Sequence, residues 1–347
     1  MIKKFIHNYI KSLSWLFVKL YFWSIETNGK ENIPAKGQPF IFAPNHQNAF
    51  LDPVILGALA DRPISYLARA DAFVKPWDYF LDAFNMLPVY RMRDGFSNLS
   101  KNEEIFERCT ERLKKGGGML MFPEGSQDDV YYLRPLTKGI ARIALQTQSR
   151  IDEDLLIIPV GLNYYNHFAS GRKLILNYGK PYSVKKFDAL FQEDPNKAYR
   201  KFILELSMAM KEVLVVESHS EHYTNHASVF TRANENLGFK ALKSLVSTHK
   251  KFPKDKVYGF LKPIILLLEL PNFIPFALIN YAKKNILKKP VFHASVKLGV
   301  AVVIMPFWFL FTLVFLGLTF NLKVALIVFA IQILTLFIRS RLTRFIH

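Results

Sequence analysis

A histidine and an aspartate follow the first strongly apolar run of the chain. Residues 39–43 are typical of a short buried strand, and His46 and Asp52 come directly after it. Strand ends in α/β folds are common sites of chemistry. Histidine takes up a proton near neutral pH, and a nearby carboxylate can fix its tautomer and stabilise the imidazolium. The pair therefore indicates general-base chemistry, although a buried histidine bonded to an aspartate for structural reasons gives the same pattern.

A second strand end carries basic residues. Residues 86–90 are predicted to form a strand, and Arg91 follows directly, with Arg93 close behind. A guanidinium binds phosphate through two parallel hydrogen bonds, which an ammonium cannot do. Lys138 lies at the start of another predicted helix, and the amino end of a helix favours anions. Arg91 and Lys138 are therefore candidate phosphate contacts. The alternatives are that Arg91 is an ordinary surface arginine and that Lys138 is an ordinary solvated lysine.

A third apolar strand ends in a small polar segment. Residues 118–122 lead through a proline into Glu124, Gly125 and Ser126. Glycine permits a sharp turn and a close approach of a ligand to the backbone. Ser126 raises the alternative of a serine hydrolase, but its neighbours do not form the G-x-S-x-G pattern of such enzymes.

Together these segments resemble the four ordered motifs of the PlsC-like glycerolipid acyltransferases, which acylate glycerol 3-phosphate and lysophosphatidate. The matching residues are 45–52, 88–91, 122–126 and 158–160. The resemblance covers about residues 30–185. It implies an α/β fold with the active site along one edge of the sheet.

The resemblance also implies roles for the site residues. His46 would be the general base with Asp52 as its partner, while the segment from Glu124 to Ser126 would bind the acceptor. The family's usual first motif has four residues between histidine and aspartate, whereas this chain has five, as in some glycerol-3-phosphate acyltransferases of the family. Asn48 is therefore an alternative partner for His46, although it carries no negative charge. No cofactor and no metal are expected.

Composition and charge favour association with a membrane. The chain has 347 residues, a net charge of +18, 50% hydrophobic residues and 31 phenylalanines. Such a charge attracts a polyanion, and the interleaving of basic residues with bulky apolar ones favours an anionic membrane over nucleic acid, for which no motif occurs. The single cysteine, Cys109, excludes an internal disulfide and is interpreted as a packing residue.

Alternating strands and helices predict a mixed α/β sheet covered by helices. The predicted strands are residues 39–43, 64–69, 86–90, 118–122, 155–162 and 172–178. The predicted helices are residues 49–60, 72–84, 101–115 and 137–148. The predicted organisation is an N-terminal interfacial helical segment over 1–29, a catalytic domain over 30–190, a helical extension over 191–258 and a membrane-associated region over 259–347.

The C-terminal region carries the clearest membrane signal. Residues 300–322 contain no charge and are long enough to span a bilayer, whereas 324–338 is short and contains Gln332. A helical hairpin over 300–338 would leave both basic flanks on the cytoplasmic side. Residues 259–281 contain three prolines, Glu269 and an asparagine, which favours a re-entrant or interfacial element.

The sequence thus predicts a membrane-bound O-acyltransferase with its catalytic domain on the cytoplasmic face. The donor would be acyl-CoA or acyl carrier protein, and the acceptor lysophosphatidate or glycerol 3-phosphate. The alternatives are a thioesterase or lysophospholipid hydrolase using Ser126, and a non-catalytic lipid-binding protein. His219, His222 and His226 are spaced to share one helical face, but a solvated connection is favoured there over a metal site.

Overall fold

An eight-stranded mixed sheet lies at the centre of the computed structural model, which describes residues 2–70, 75, 81, 85–89, 101–287 and 289–346. The strands are β1 (Ser24–Asn28), β2 (Phe40–Pro44), β3 (Ile64–Arg69), β4 (Met86–Val89), β5 (Gly118–Leu120), β6 (Leu156–Tyr164), β7 (Lys173–Tyr178) and β8 (Tyr182–Ser183). Their order is β1-β7-β6-β2-β5-β3-β4, and β8 pairs with β6. The pairings of β6 with β7 and β8 are antiparallel, and the others are parallel. The predicted α/β class is confirmed.

Helices cover both faces of this sheet. Among the described residues between β1 and residue 212, the α-helices are α2 (Leu51–Leu59), α3 (Lys101–Lys114), α4 (Gly139–Gln148), α5 (Asp188–Glu193) and α6 (Pro195–Glu212). Because side chains alternate along a strand, β2 sends Ile41 into a core with α3, α4 and α6, and Phe42 into a core with α2. Cys109 lies in the first core, and burial raises the pKa of its thiol to about 12, as suits a packing residue. Of the predicted helices, 72–84 lies almost wholly outside the described residues.

The N-terminal helix α1 (Ile2–Tyr21) has a packed face and an exposed face. Val18 and Tyr21 are buried against the α2 side of the sheet, whereas Phe5 and Trp15 are exposed. Strand β1 follows directly and pairs with β7, so the sheet begins before residue 30, where the catalytic domain was predicted to start. This edge strand reads Ser-Ile-Glu-Thr-Asn, and its polarity gave no strand signal.

Helices dominate the second half of the chain. They include α7 (Tyr223–Ala227), α8 (Phe239–Ser247), α9 (Leu261–Glu269), α10 (Phe273–Tyr281), α11 (His293–Gly299), α12 (Met305–Thr319) and α13 (Leu322–Leu342). Because α7 begins only at Tyr223, the prediction that the three histidines from 219 to 226 share one helical face is wrong. His219 instead packs against Tyr132, whereas His222 and His226 meet His249.

Within the described residues, three apolar helices could each cross a membrane by length and composition, and they indicate membrane association. They are Leu261–Ile286, Pro290–Thr319 and Leu322–Phe345. The first covers most of the segment predicted to be re-entrant or interfacial, and two of its polar side chains have partners on the last helix: Glu269 lies 2.7 Å from Arg339, and Asn272 donates to the Gln332 carbonyl at 3.1 Å. Pairing lowers the cost of polar groups among membrane helices. The last helix exceeds its predicted 15 residues because it continues past Arg339.

The end of the last helix contacts the segments before and after the catalytic region. Arg344 Nη2 lies 2.7 Å from the Glu235 carboxylate, and the Arg344 guanidinium also covers the ring of Trp23. Arg341 donates to the Trp23 carbonyl at 3.2 Å. These contacts join the membrane-associated helices to the edge of the sheet near β1.

Candidate active site

The carboxyl ends of three neighbouring strands bring the candidate residues together. Strand β2 lies between β5 and β6 and is parallel to both. His46 follows β2 and Glu124 follows β5, while Tyr164 is the last residue of β6. Since parallel strands end at one edge of a sheet, segments far apart in sequence converge there.

His46 and Asp52 form a direct pair. The distance between His46 Nδ1 and Asp52 Oδ2 is 2.8 Å. A carboxylate oxygen only accepts, so Nδ1 carries the ring proton and Nε2 remains as the basic nitrogen. The His46 ring stacks on Phe122, with centroids 3.8 Å apart, and its side chain is 13% exposed. The imidazole is therefore oriented by Asp52 yet accessible to a substrate.

The carboxylate of Asp52 is fully buried and accepts from four groups. Oδ2 takes the His46 ring nitrogen and the backbone N–H groups of Gln47 and Asn48, each at 2.8 Å. Oδ1 takes the phenol of Tyr164. Burial and the Asp52 carboxylate raise the pKa of Tyr164 well above its ordinary value, which keeps the phenol a donor. The side chain of Asn48 donates to the His167 carbonyl instead of reaching His46.

Glu124 links the end of β5 to the end of β2. Its Oε1 accepts the backbone N–H of His46 at 3.1 Å, and its Oε2 lies 2.6 Å from Arg134 Nε. Burial raises the pKa of Glu124 to about 7, while the Arg134 guanidinium and the His46 N–H act in the opposite direction. With 1% of its side chain exposed, Glu124 holds the backbone of the base and a neighbouring cation.

The turn after Glu124 is held by two other residues. Gly125 has φ of +72°, and a Cβ there would lie 3.0 Å from Thr137 Cγ2, so the turn favours glycine. Ser126 is exposed, and its Oγ lies 3.1 Å from Arg134 Nη1. A guanidinium is always protonated and cannot accept the proton of a nucleophilic serine. Arg134 therefore cannot act as the base that would activate Ser126.

Of the two predicted phosphate contacts, the structure describes Lys138 but not Arg91. Lys138 is exposed and immediately precedes α4, which begins two residues later than the predicted helix over 137–148. Arg91 and Arg93 lie outside the described residues, although strand β4 ends at Val89 just before them. Pro159 of the fourth motif lies within β6, opposite Ala43 of β2.

An apolar cavity of about 490 Å³ lies beside the start of α2. Phe50 and Pro53, which flank the Leu51–Asp52 step, form part of its wall. The opposite walls come from α1 and from the helix over 290–319, through Ile10 and Val302 among others. The cavity therefore extends from the start of α2 to α1 and a candidate membrane-spanning helix, and it can hold a hydrocarbon chain.

Sequence reasoning missed Tyr164, Arg134 and His167. Tyr164 ends an apolar strand and reads as a core aromatic, and Arg134 lies in an irregular loop without a motif. Their partners are distant in sequence, so only the strand order reveals the contacts. A hydroxyl group at the carboxyl end of a predicted parallel strand was the one usable signal for Tyr164.

Comparisons with known proteins match this chain to acyltransferases. The Acyltransferase family model matches residues 24–163. The chain is 30% identical over 201 residues to the chloroplastic 1-acyl-sn-glycerol-3-phosphate acyltransferase BAT2 of Brassica napus, covering 55% of this chain and 54% of that protein. It is 25% identical over 111 residues to glycerol-3-phosphate O-acyltransferase 2 of Saccharomyces cerevisiae, covering 31% and 15% respectively. The chain spans about half the length of the first of these relatives.

A solved structure also shows similarity. The 1-acyl-sn-glycerophosphate acyltransferase PlsC from Thermotoga maritima has a TM-score of 0.43 and 22% identity, covering 61% of this chain and 79% of that one. The family match contains His46, Asp52 and Glu124, together with every strand from β1 to most of β6. Residues 24–163 therefore match the Acyltransferase family, and the chain is similar to acyltransferases of glycerolipid synthesis.

Proposed function

We propose that this protein transfers a fatty acyl group from a thioester to a hydroxyl of a glycerol phosphate acceptor at a membrane surface. The pair of His46 Nδ1 and Asp52 Oδ2, 2.8 Å apart at the edge of the sheet, is the observation that carries the proposal. It leaves Nε2 to take a hydroxyl proton, and the buried carboxylate stabilises the imidazolium that forms.

The reaction follows from this geometry in two proton transfers. His46 Nε2 removes the proton of the acceptor hydroxyl while its oxygen attacks the thioester carbonyl. The tetrahedral intermediate then collapses, the carbon–sulfur bond breaks, and the imidazolium returns the proton to the leaving thiolate. The products are an ester and a free thiol, and no covalent enzyme intermediate forms.

The acceptor would be held by charge and by the turn after Glu124. Arg91 and Lys138 are the proposed phosphate contacts, because both are cations next to strand or helix ends. Gly125 and Ser126 form the exposed turn that would face the glycerol. Glu124 supports His46 from behind, and its burial makes this role more suitable than direct contact with an acceptor hydroxyl.

The donor, the acceptor and the membrane orientation are parts of the same proposal. The donor is acyl-CoA or acyl carrier protein. The acceptor is lysophosphatidate (1-acylglycerol 3-phosphate) or glycerol 3-phosphate, and the names of the relatives contain these two acceptors. The cavity beside Phe50 supports a lipid chain near the site. The catalytic region would lie on the cytoplasmic face of an anionic membrane, in keeping with the basic charge of the chain.

The test is product analysis with the purified full-length protein. Acyl-CoA and acyl carrier protein, each carrying a labelled acyl chain, are incubated separately with the protein and with glycerol 3-phosphate or lysophosphatidate. Formation of an acylated glycerol phosphate supports the proposal and identifies both substrates. Release of free fatty acid alone, abolished by Ser126→Ala, would instead support the hydrolase. Neither product under any combination would favour a lipid-binding protein.

A further inference from the structure

A second histidine–carboxylate pair lies behind the first one. His167 is 2% exposed and belongs to the loop after β6. Its Nδ1 contacts Asp129 Oδ1, its Nε2 lies 3.1 Å from Gln47 Oε1, and the ring of Tyr131 stacks on it with centroids 4.3 Å apart. Because Gln47 precedes Asn48 in the loop between His46 and Asp52, His167 contacts the catalytic loop directly.

This loop contains strained backbone that needs support. Ala49 has φ of +39°, which a residue with a Cβ rarely adopts, and it is buried. Such a conformation is costly and persists only where its surroundings hold it. The strained residue lies within the segment of five residues between His46 and Asp52, one more than the family's usual motif.

His167 supports the loop at two successive residues. Its ring meets the side chain of Gln47, and its carbonyl accepts from the side chain of Asn48. The backbone N–H groups of the same two residues both donate to Asp52 Oδ2, the oxygen that orients His46. A displacement of the loop would therefore move the partner of the base.

We infer that His167, held by Asp129, is a positioning residue that fixes the five-residue loop so that Asp52 orients His46. This inference rests on the proposed function. His167 acts through Gln47 and Asn48 and need not touch substrate. Its loss should lower the rate of the chemical step while leaving substrate binding nearly unchanged.

The test compares kcat and KM of full-length variants. His167→Ala should lower kcat on the order of ten- to a hundredfold, because small misplacements of catalytic groups have effects of this size. The KM for each substrate should stay within about twofold. His167→Gln, whose side-chain amide can still donate to Gln47, should recover most of kcat.

The matched control is His226→Ala. His226 is also a buried histidine, bonded to His249 at 2.8 Å, but it lies in the helical extension. Its replacement should leave kcat unchanged, which separates loss of any buried imidazole from loss of this one. Asp129→Ala alters a side chain that is 43% exposed, so it tests the same chain of contacts if His167→Ala does not fold. It should lower kcat severalfold.

Two results would overturn the inference. One is a wild-type kcat in both His167→Ala and Asp129→Ala. The other is an equal fall in His167→Ala and His167→Gln together with a rise in KM, which would indicate general damage to the site. Measurement of His46→Ala in the same series distinguishes failure of the positioning role from failure of the proposed function. If that variant is inactive while His167→Ala retains wild-type kcat, the positioning role alone fails.

Discussion

Replacement of Asp52 by asparagine tests the partner of the base. The buried carboxylate accepts four hydrogen bonds, three on Oδ2 and one on Oδ1. An asparagine fits if its oxygen takes the Oδ2 position and its amide group faces Tyr164, whose phenol can rotate to accept. The loop geometry then survives, but the negative charge is lost.

The expected loss of rate follows from that charge. A hydrogen bond to a charged group contributes about 1.5–3 kcal/mol, and each 1.36 kcal/mol corresponds to about a tenfold change in rate. Weakening of this bond therefore accounts for at most about ten- to 150-fold. The opposite amide orientation would also favour the wrong tautomer of His46. We expect Asp52→Asn to lower kcat at least about a hundredfold.

The assay is acyl transfer by detergent-solubilised full-length protein, with thermal unfolding as the check on folding. Tyr164→Phe is the matched control, because it removes one of the four hydrogen bonds and keeps the charge. It should lower kcat by about tenfold or less. The reasoning would be refuted if Asp52→Asn were nearly as active as wild type while Asn48→Ala was severely impaired, since Asn48 would then be the partner.

Three further predictions concern the acceptor, the buried glutamate and the membrane. Arg91→Lys should raise the KM for the acceptor about tenfold, because it keeps the charge and loses the bidentate grip; a rise confined to the acyl donor would contradict this. Glu124 ordinarily titrates near 4.5 but near 7 when folded, so between these pH values the folded state holds a proton that the unfolded chain releases. The free energy of unfolding should therefore fall as pH rises through this range, and Glu124→Gln should lose that fall; parallel pH curves for both forms would count against it. The full-length protein should remain with membranes through high-salt and carbonate washes, and its release by either would show that the three apolar helices do not span.

Much of the fold could be predicted from local sequence. The apolar runs around Phe42 and Leu120 gave strands within a few residues of their observed bounds, because a strand buried on both faces is continuously apolar. The edge strand Ser24–Asn28 could not be found, since its residues are mostly polar and its pairing with β7 is a tertiary effect. The strand order also lies beyond local patterns.

The candidate site shows the same division. His46, Asp52 and Glu124 could be selected because each follows an apolar strand in a motif of recognisable type. Arg134 and Tyr164 could not, because their contacts depend on which strands are neighbours. The strained Ala49 was likewise invisible, although the five-residue spacing around it indicated that this loop departs from the usual motif.

The most direct test of the account is the activity of His46→Ala. The purified full-length variant is compared with wild type and with His226→Ala, using a labelled acyl donor and product analysis. We expect transfer to fall at least about a hundredfold in His46→Ala, because a general base contributes about 10²- to 10⁴-fold, while its thermal unfolding and the activity of His226→Ala match wild type. Acyl transfer by His46→Ala at a rate close to wild type would contradict the assignment of His46 as the base.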